Sequence, residues 1–233
     1  MKNSVEFDQY VIDQVVARRG RLHAFQHLDP PRTALLVVDM QNAFVAEGGA
    51  AELPSARDIV PNINRLALAL REHGGHVIWL ISTYGPSSEN DWPVLFEEIL
   101  GPERARRFRG GLIEGTPGHA LYPALAREPN DPVLSKNRFS GFCGSQGRLT
   151  QLLRDHGIDT VIVVGTVTSV CCESTAREAT MENFRCIMVA DANAGRTREE
   201  DMATFSMFIQ VFGDVMTADE VISLIRGTGE LTG

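Results

Sequence analysis

Cys171 and Cys172 stand where an apolar run, 160–164, ends at Gly165 and a Thr/Ser-rich turn opens what reads as a helix. A cysteine at a helix start sits among unpaired backbone N–H groups and the positive end of the helix dipole. Both favour thiolate, the nucleophilic form, over thiol. The same N–H groups can hold the oxyanion formed when a thiolate attacks a carbonyl. One short segment thus offers a nucleophile and its oxyanion hole. Neighbouring side chains on a helix diverge by about 100°, so only one of the two cysteines faces a site. Periodicity leaves open which, because Thr175 and Ala179 align with either. Buried structural cysteines, a strained vicinal disulfide and a thiol redox pair are the other readings of the same residues.

Two more residues gain meaning from position. Asp39 closes the apolar run TALLVV, and Lys136 closes PVLSK. Alone, the first reads as a turn-capping aspartate and the second as a rim lysine. Together with a thiol they form a unit: a carboxylate takes the thiol proton, and an ammonium lowers the pKa of both neighbours. Gln41, Phe44, Trp92 and Phe142 are candidates for the wall of a substrate pocket beside them. The basic run Arg104, Arg106, Arg107 and Arg109 reads as a solvated or glutamate-paired face, or as the place where one arginine meets a substrate carboxylate.

The elements that must bring these residues together alternate. Strands are expected at 33–38, 76–82, 132–136, 160–164, 185–190 and 213–216. Helical spacing covers 145–156, 171–183, 198–211 and 217–226. It also covers 55–73, with Ser55 as cap or Pro61 as the first residue. The segment 83–131, with a short helix near 93–108, reads as pocket wall or lid. Residues 1–32 form an N-terminal arm, and 33–227 a single domain. The alternation predicts an α/β fold, three-layered and Rossmann-like, with six mostly parallel strands. Ligands in such sheets bind beyond the carboxyl ends of the strands. Asp39, Lys136 and the Gly165 turn all lie at such ends.

With 233 residues the chain can bury a full core. Its formal net charge of −8 argues against a nucleic-acid or anionic-membrane partner. No apolar run is long enough to span a bilayer, and the N-terminal residues lack a signal-peptide core. The four cysteines are too few for a disulfide framework, so free thiols in a reducing cytoplasm are expected. The six histidines are scattered, and neither a metal site nor another cofactor is expected.

The stretches TALLVVDMQNAF, VLSKNRFSGF and VVGTVTSVCCESTAREA resemble, in order, the three motifs of the isochorismatase-like cysteine hydrolases. That superfamily includes nicotinamidases, N-carbamoylsarcosine amidohydrolase and ureidoacrylate amidohydrolases. The resemblance implies that Cys171 is the nucleophile, with Cys172 where the family usually has Val. It makes Asp39 the acid/base and Lys136 the third member. It also implies a cis peptide at Thr166–Val167, with the Val167 and Cys171 N–H groups aimed at the oxyanion. Where nicotinamidases carry an Asp-x-His metal cluster, this chain reads Ser82-Thr83-Tyr84-Gly85. A nicotinamidase-type metal is therefore not expected, and the nucleophilic cysteine argues against a vinyl-ether hydrolase. The implied activity is hydrolysis of a C–N bond in a small amide or ureido compound through a thioester, by a homodimer or homotetramer. The implied strand order, 3-2-1-4-5-6, sets the Lys136 strand two places from the Asp39 strand.

Overall fold

The computed structural model of the chain describes residues 5–85 and 92–228. Six strands, β1 (Thr33–Val38), β2 (His76–Ser82), β3 (Val133–Lys136), β4 (Thr160–Thr166), β5 (Arg185–Ala194) and β6 (Asp214–Met216), form one sheet in the order β3-β2-β1-β4-β5-β6. Every pairing is parallel. β1 and β4 are buried along their whole length. Both faces of the sheet must therefore be apolar, and helices cover both.

Alternate strand residues point to opposite faces and build two cores. Leu35, Val37, Trp79, Ile162 and Val164 pack on one side, where α2 (Asn42–Val45), α3 (Val60–Glu72) and α9 (Ala218–Ile225) lie. Leu36, Val38, Leu80, Val161 and Val163 pack on the other. That side receives α6 (Arg148–Asp155), α7 (Glu173–Met181) and α8 (Arg198–Val211). It also buries Phe7, Val11 and Val15, so the N-terminal helix α1 (Gln9–Arg19) docks on the same core. Among the described residues no helix is long and apolar enough to cross a membrane.

The differences from the sequence expectations have local causes. The 55–73 helix begins at Val60, with Pro61 in its first turn, and a separate 3₁₀ turn spans Pro54–Arg57. The 145–156 helix begins only at Arg148, as α6, because Gln146 and Gly147 take left-handed backbone angles; a separate short helix, α5 (Gly141–Gly144), precedes them. Left-handed Gly101 likewise divides a π-helical segment, Val94–Ile99, from α4 (Pro102–Gly110). Residues 86–91 of the 83–131 segment lie outside the described residues. β5 runs on to Ala194, past a register shift opposite Val163–Gly165. Asn193 spans that irregularity by donating to the carbonyls of Val163 and Val189.

The order of the strands reverses between β1 and β4, which opens a crevice at their carboxyl ends. Gly165 makes the crevice tight. Its φ is 119°, and a Cβ there would lie 2.2 Å from the Val38 carbonyl oxygen. Gly165→Ala should destabilise the fold by on the order of 3–5 kcal/mol. Urea denaturation would measure this, and an unchanged midpoint would refute the close approach.

Candidate active site

Asp39 leaves β1 with φ 51°, in the left-handed region that aspartate tolerates better than most residues. Its N–H donates to the Leu80 carbonyl. Its side chain is fully buried at the crevice. Lys136 ends β3, and β2 stands between it and β1. The lysine nonetheless reaches across: Nζ lies 2.8 Å from Asp39 Oδ2. It also donates to Ser82 Oγ at 3.0 Å and to the Arg138 carbonyl at 3.2 Å. Three acceptors thus take the three ammonium hydrogens. Ser82, the last residue of β2, is the bridge that the intervening strand supplies. Its residue type alone did not mark it, although the expected strand order leaves a gap for such a residue.

Cys171 does not start an α-helix. It lies in a π-helical turn, Thr168–Cys172, that precedes α7. Insertions of this kind cluster at functional sites. The Val167 carbonyl accepts from the N–H groups of both Val170 and Cys172. Thr175 Oγ1 donates to the Cys171 carbonyl at 2.7 Å and accepts from the Gly141 N–H, which ties the turn to α5. The Thr166–Val167 peptide is cis. The Val167 N–H has no hydrogen-bond partner among the described residues.

The Cys171 thiol interacts with both Asp39 and Lys136. Asp39 Oδ1 is buried with no hydrogen-bond partner, an acceptor left free at the site. Burial pushes the Cys171 thiol well above its ordinary pKa; Lys136 pulls it down, and Asp39 pushes it up further. This corrects the expectation of a ready thiolate. A helix start in water favours the anion, but here burial outweighs the pull of the Lys136 ammonium. At rest Cys171 is a thiol beside a carboxylate. Burial works to lower the Lys136 pKa, but the Asp39 carboxylate beside it acts in the opposite direction, and the ammonium is held above its usual range.

Cys172 is fully buried and packs in the second core beside Ala176 and Ala179. All four cysteines are free. Tyr84 is a neighbour that the sequence did not suggest. It is 3% exposed, and burial raises its pKa, with Lys136 opposing.

A cleft of about 1020 Å³ leads down to Cys171. Phe44 lines it, as do Val167 and Phe139. Gln41, Trp92 and Phe142 are not among the residues that line it. Gln41 is buried, and its amide joins the Ser82 backbone to the His119 carbonyl, so it braces loops. Trp92 packs at a tilt against Phe139, which lines the cleft, and lies under the Arg138 guanidinium. Phe142 is 2% exposed and packs on Phe184, in the core. Of the basic run, Arg104 and Arg107 line the cleft, whereas Arg109 lies over the Phe96 ring. Arg196, just past the end of β5, lines it too. The strand expected at 185–190 falls short of this residue, so its position at the cleft was hidden. Among the described residues no three His, Cys, Asp or Glu side chains gather as a metal site would need.

Comparison with known proteins agrees with this geometry. The isochorismatase domain model matches residues 33–220. A ureidoacrylate amidohydrolase of Methylorubrum extorquens is 36% identical over 180 residues, 70% of each chain. A cysteine hydrolase from Pseudomonas syringae pv. phaseolicola superposes with a TM-score of 0.76 at 30% identity, covering 89% of this chain and 98% of that one. N-carbamoylsarcosine amidase from Thermoplasma acidophilum superposes with a TM-score of 0.66 at 28% identity, covering 81% and 97%. With its parallel sheet, its crevice cluster and a family match spanning both, the chain belongs to the isochorismatase family.

Proposed function

We propose that this protein is a cysteine amidohydrolase that cleaves a C–N bond of a small, non-peptide amide or ureido compound. The observation that carries this reading is the buried cluster of Asp39, Lys136 and the Cys171 thiol at the floor of the cleft. Sγ adds to the carbonyl carbon as Asp39 Oδ1 takes its proton. The carbonyl electrons move to oxygen, where the Val167 and Cys171 N–H groups receive the negative charge. The C–N bond then breaks, and Asp39 passes the proton to the leaving nitrogen. A thioester remains. Water gives a proton to Asp39, adds to the thioester carbon, and displaces Sγ, which recovers that proton. Lys136 has all three hydrogens engaged, so it contributes fixed positive charge and not a proton.

The ureidoacrylate and N-carbamoylsarcosine relatives support a ureido or carbamoyl substrate over a cyclic amide. A redox role for the cysteine pair loses support from the complete burial of Cys172. Free thiols support a reducing, cytoplasmic setting. Met207 and Val211, exposed and four residues apart on α8, share one helix face, which favours assembly into a homodimer or homotetramer.

Intact-mass analysis during turnover of a panel of linear amides and ureides tests the chemistry. An acyl adduct located on Cys171, and absent when hydroxylamine is added, is the expected result. Turnover of any panel member with no adduct in rapid-quench samples, and with activity untouched by thiol alkylation, would overturn it.

A further inference from the structure

Resting on the amidohydrolase reading, we propose that the cleft takes an elongated substrate. Its scissile group lies at Cys171, an apolar body runs along the wall, and a carboxylate at the far end is met by Arg104 and Arg107. Burial orders the cleft from floor to rim. Cys171, Phe44, Leu53 and Leu95 are all less than 9% exposed. Phe108, Phe139 and Val170 are half-buried, and Arg104, Arg107 and Ile99 are exposed. The floor holds the chemistry, the middle is apolar, and the rim is charged.

Size points the same way. A compound of a few carbons would fill a small part of about 1020 Å³, a volume that matches the upper end for drug-sized ligands. The middle wall offers such a compound only carbon. A longer apolar body would bury that wall.

Charge decides the far end. Arg104 and Arg107 are three residues apart on α4, so they share one face, and it is the face toward the cleft. Arg107 spends one hydrogen on the Gly49 carbonyl and keeps the rest of its fork. Arg104 makes no ion pair or hydrogen bond among the described residues. Arg196, the third arginine, lies 3.8 Å from Glu200. The acidic groups of the rim are Glu52 and Glu103. Glu52 is already held by Arg57 at 3.0 Å and by the Gly48 N–H, which lower its pKa. The rim is therefore net positive, and a planar guanidinium pair is the recognition chemistry of a carboxylate.

The probe is a series of linear ω-carboxy primary amides, in which a chain of methylenes of increasing length joins the amide carbonyl to a carboxylate. Neutral ω-hydroxy amides of equal length are run beside them. The expected kcat/KM rises with length by roughly threefold to fourfold per methylene until the cleft is filled. Arg104→Gln should raise KM for the long carboxylates by on the order of tenfold, with a much smaller shift for the hydroxy amides. Adding Arg107→Gln should widen that gap. A rate independent of length, or an equal penalty on charged and neutral substrates, overturns the proposal. If wild type turns over no member of the series, calorimetric titration of Cys171→Ala protein with the same compounds decides. Binding that grows with length and needs the carboxylate upholds the cleft assignment and places the failure in the chemistry. Binding without either dependence overturns the assignment itself.

Discussion

Cys171→Ala is expected to remove hydrolysis almost completely, by on the order of 10⁴–10⁶ in kcat. The fold should survive, since the side chain loses one sulfur in a site already open to the cleft. Circular dichroism and the urea midpoint would check that. The state of the thiol gives a second readout. Burial holds Cys171 protonated through the neutral range, so its alkylation by iodoacetamide should keep accelerating as pH rises past the ordinary thiol value. A low-pKa thiolate would instead plateau near neutrality. Cys143, which is exposed, should be alkylated as well, so labelling must be read by peptide mapping. Near-normal kcat in Cys171→Ala, or a plateau at neutral pH, would show that the nucleophile or its protonation state has been misassigned.

The second large effect belongs to the Asp39–Lys136 pair. Asp39→Asn removes the proposed proton carrier beside the thiol and should lower kcat by on the order of 10²–10⁴. It also strands a buried ammonium. Breaking a buried ion pair from one side costs ~3–5 kcal/mol, so the variant should be markedly less stable. Lys136→Ala should cost a similar amount by stranding the carboxylate. It should also raise the Cys171 pKa further, since the one cation that opposes burial is gone. Lys136→Arg should rescue poorly, because a planar fork cannot satisfy Asp39 Oδ2, Ser82 Oγ and the Arg138 carbonyl from one point. Losses should not add. Asp39→Asn/Lys136→Ala should be little slower than the poorer single variant and should recover part of the lost stability, because neither charge is then buried alone. Additive losses in both rate and stability would show that the two residues are not coupled.

Much of this architecture was legible in the sequence. A fully buried parallel strand is an apolar run with a sharp polar end, and the runs TALLVV and HVIWLIS mark both ends of β1 and β2. The alternation of such runs with helical periods determines a parallel sheet, and with it the edge where Asp39, Lys136 and Cys171 must emerge. What the tertiary structure decided depends on contacts between residues distant in the chain. That Lys136 crosses a whole strand to reach Asp39, using Ser82 as a step, follows from the strand order and the length of one side chain. Gln41 and Phe142 carry the residue types of a pocket wall, but the loop and core around them claimed both. Arg196 became visible only because β5 outruns its apolar stretch past the register shift that Asn193 bridges. The protonation of Cys171 was the least accessible property. Local sequence places a cysteine near a helix start and so suggests a thiolate. Burial in the crevice between β1 and β4 reverses that, because desolvation acts through the whole surrounding fold and not through the residues next in line.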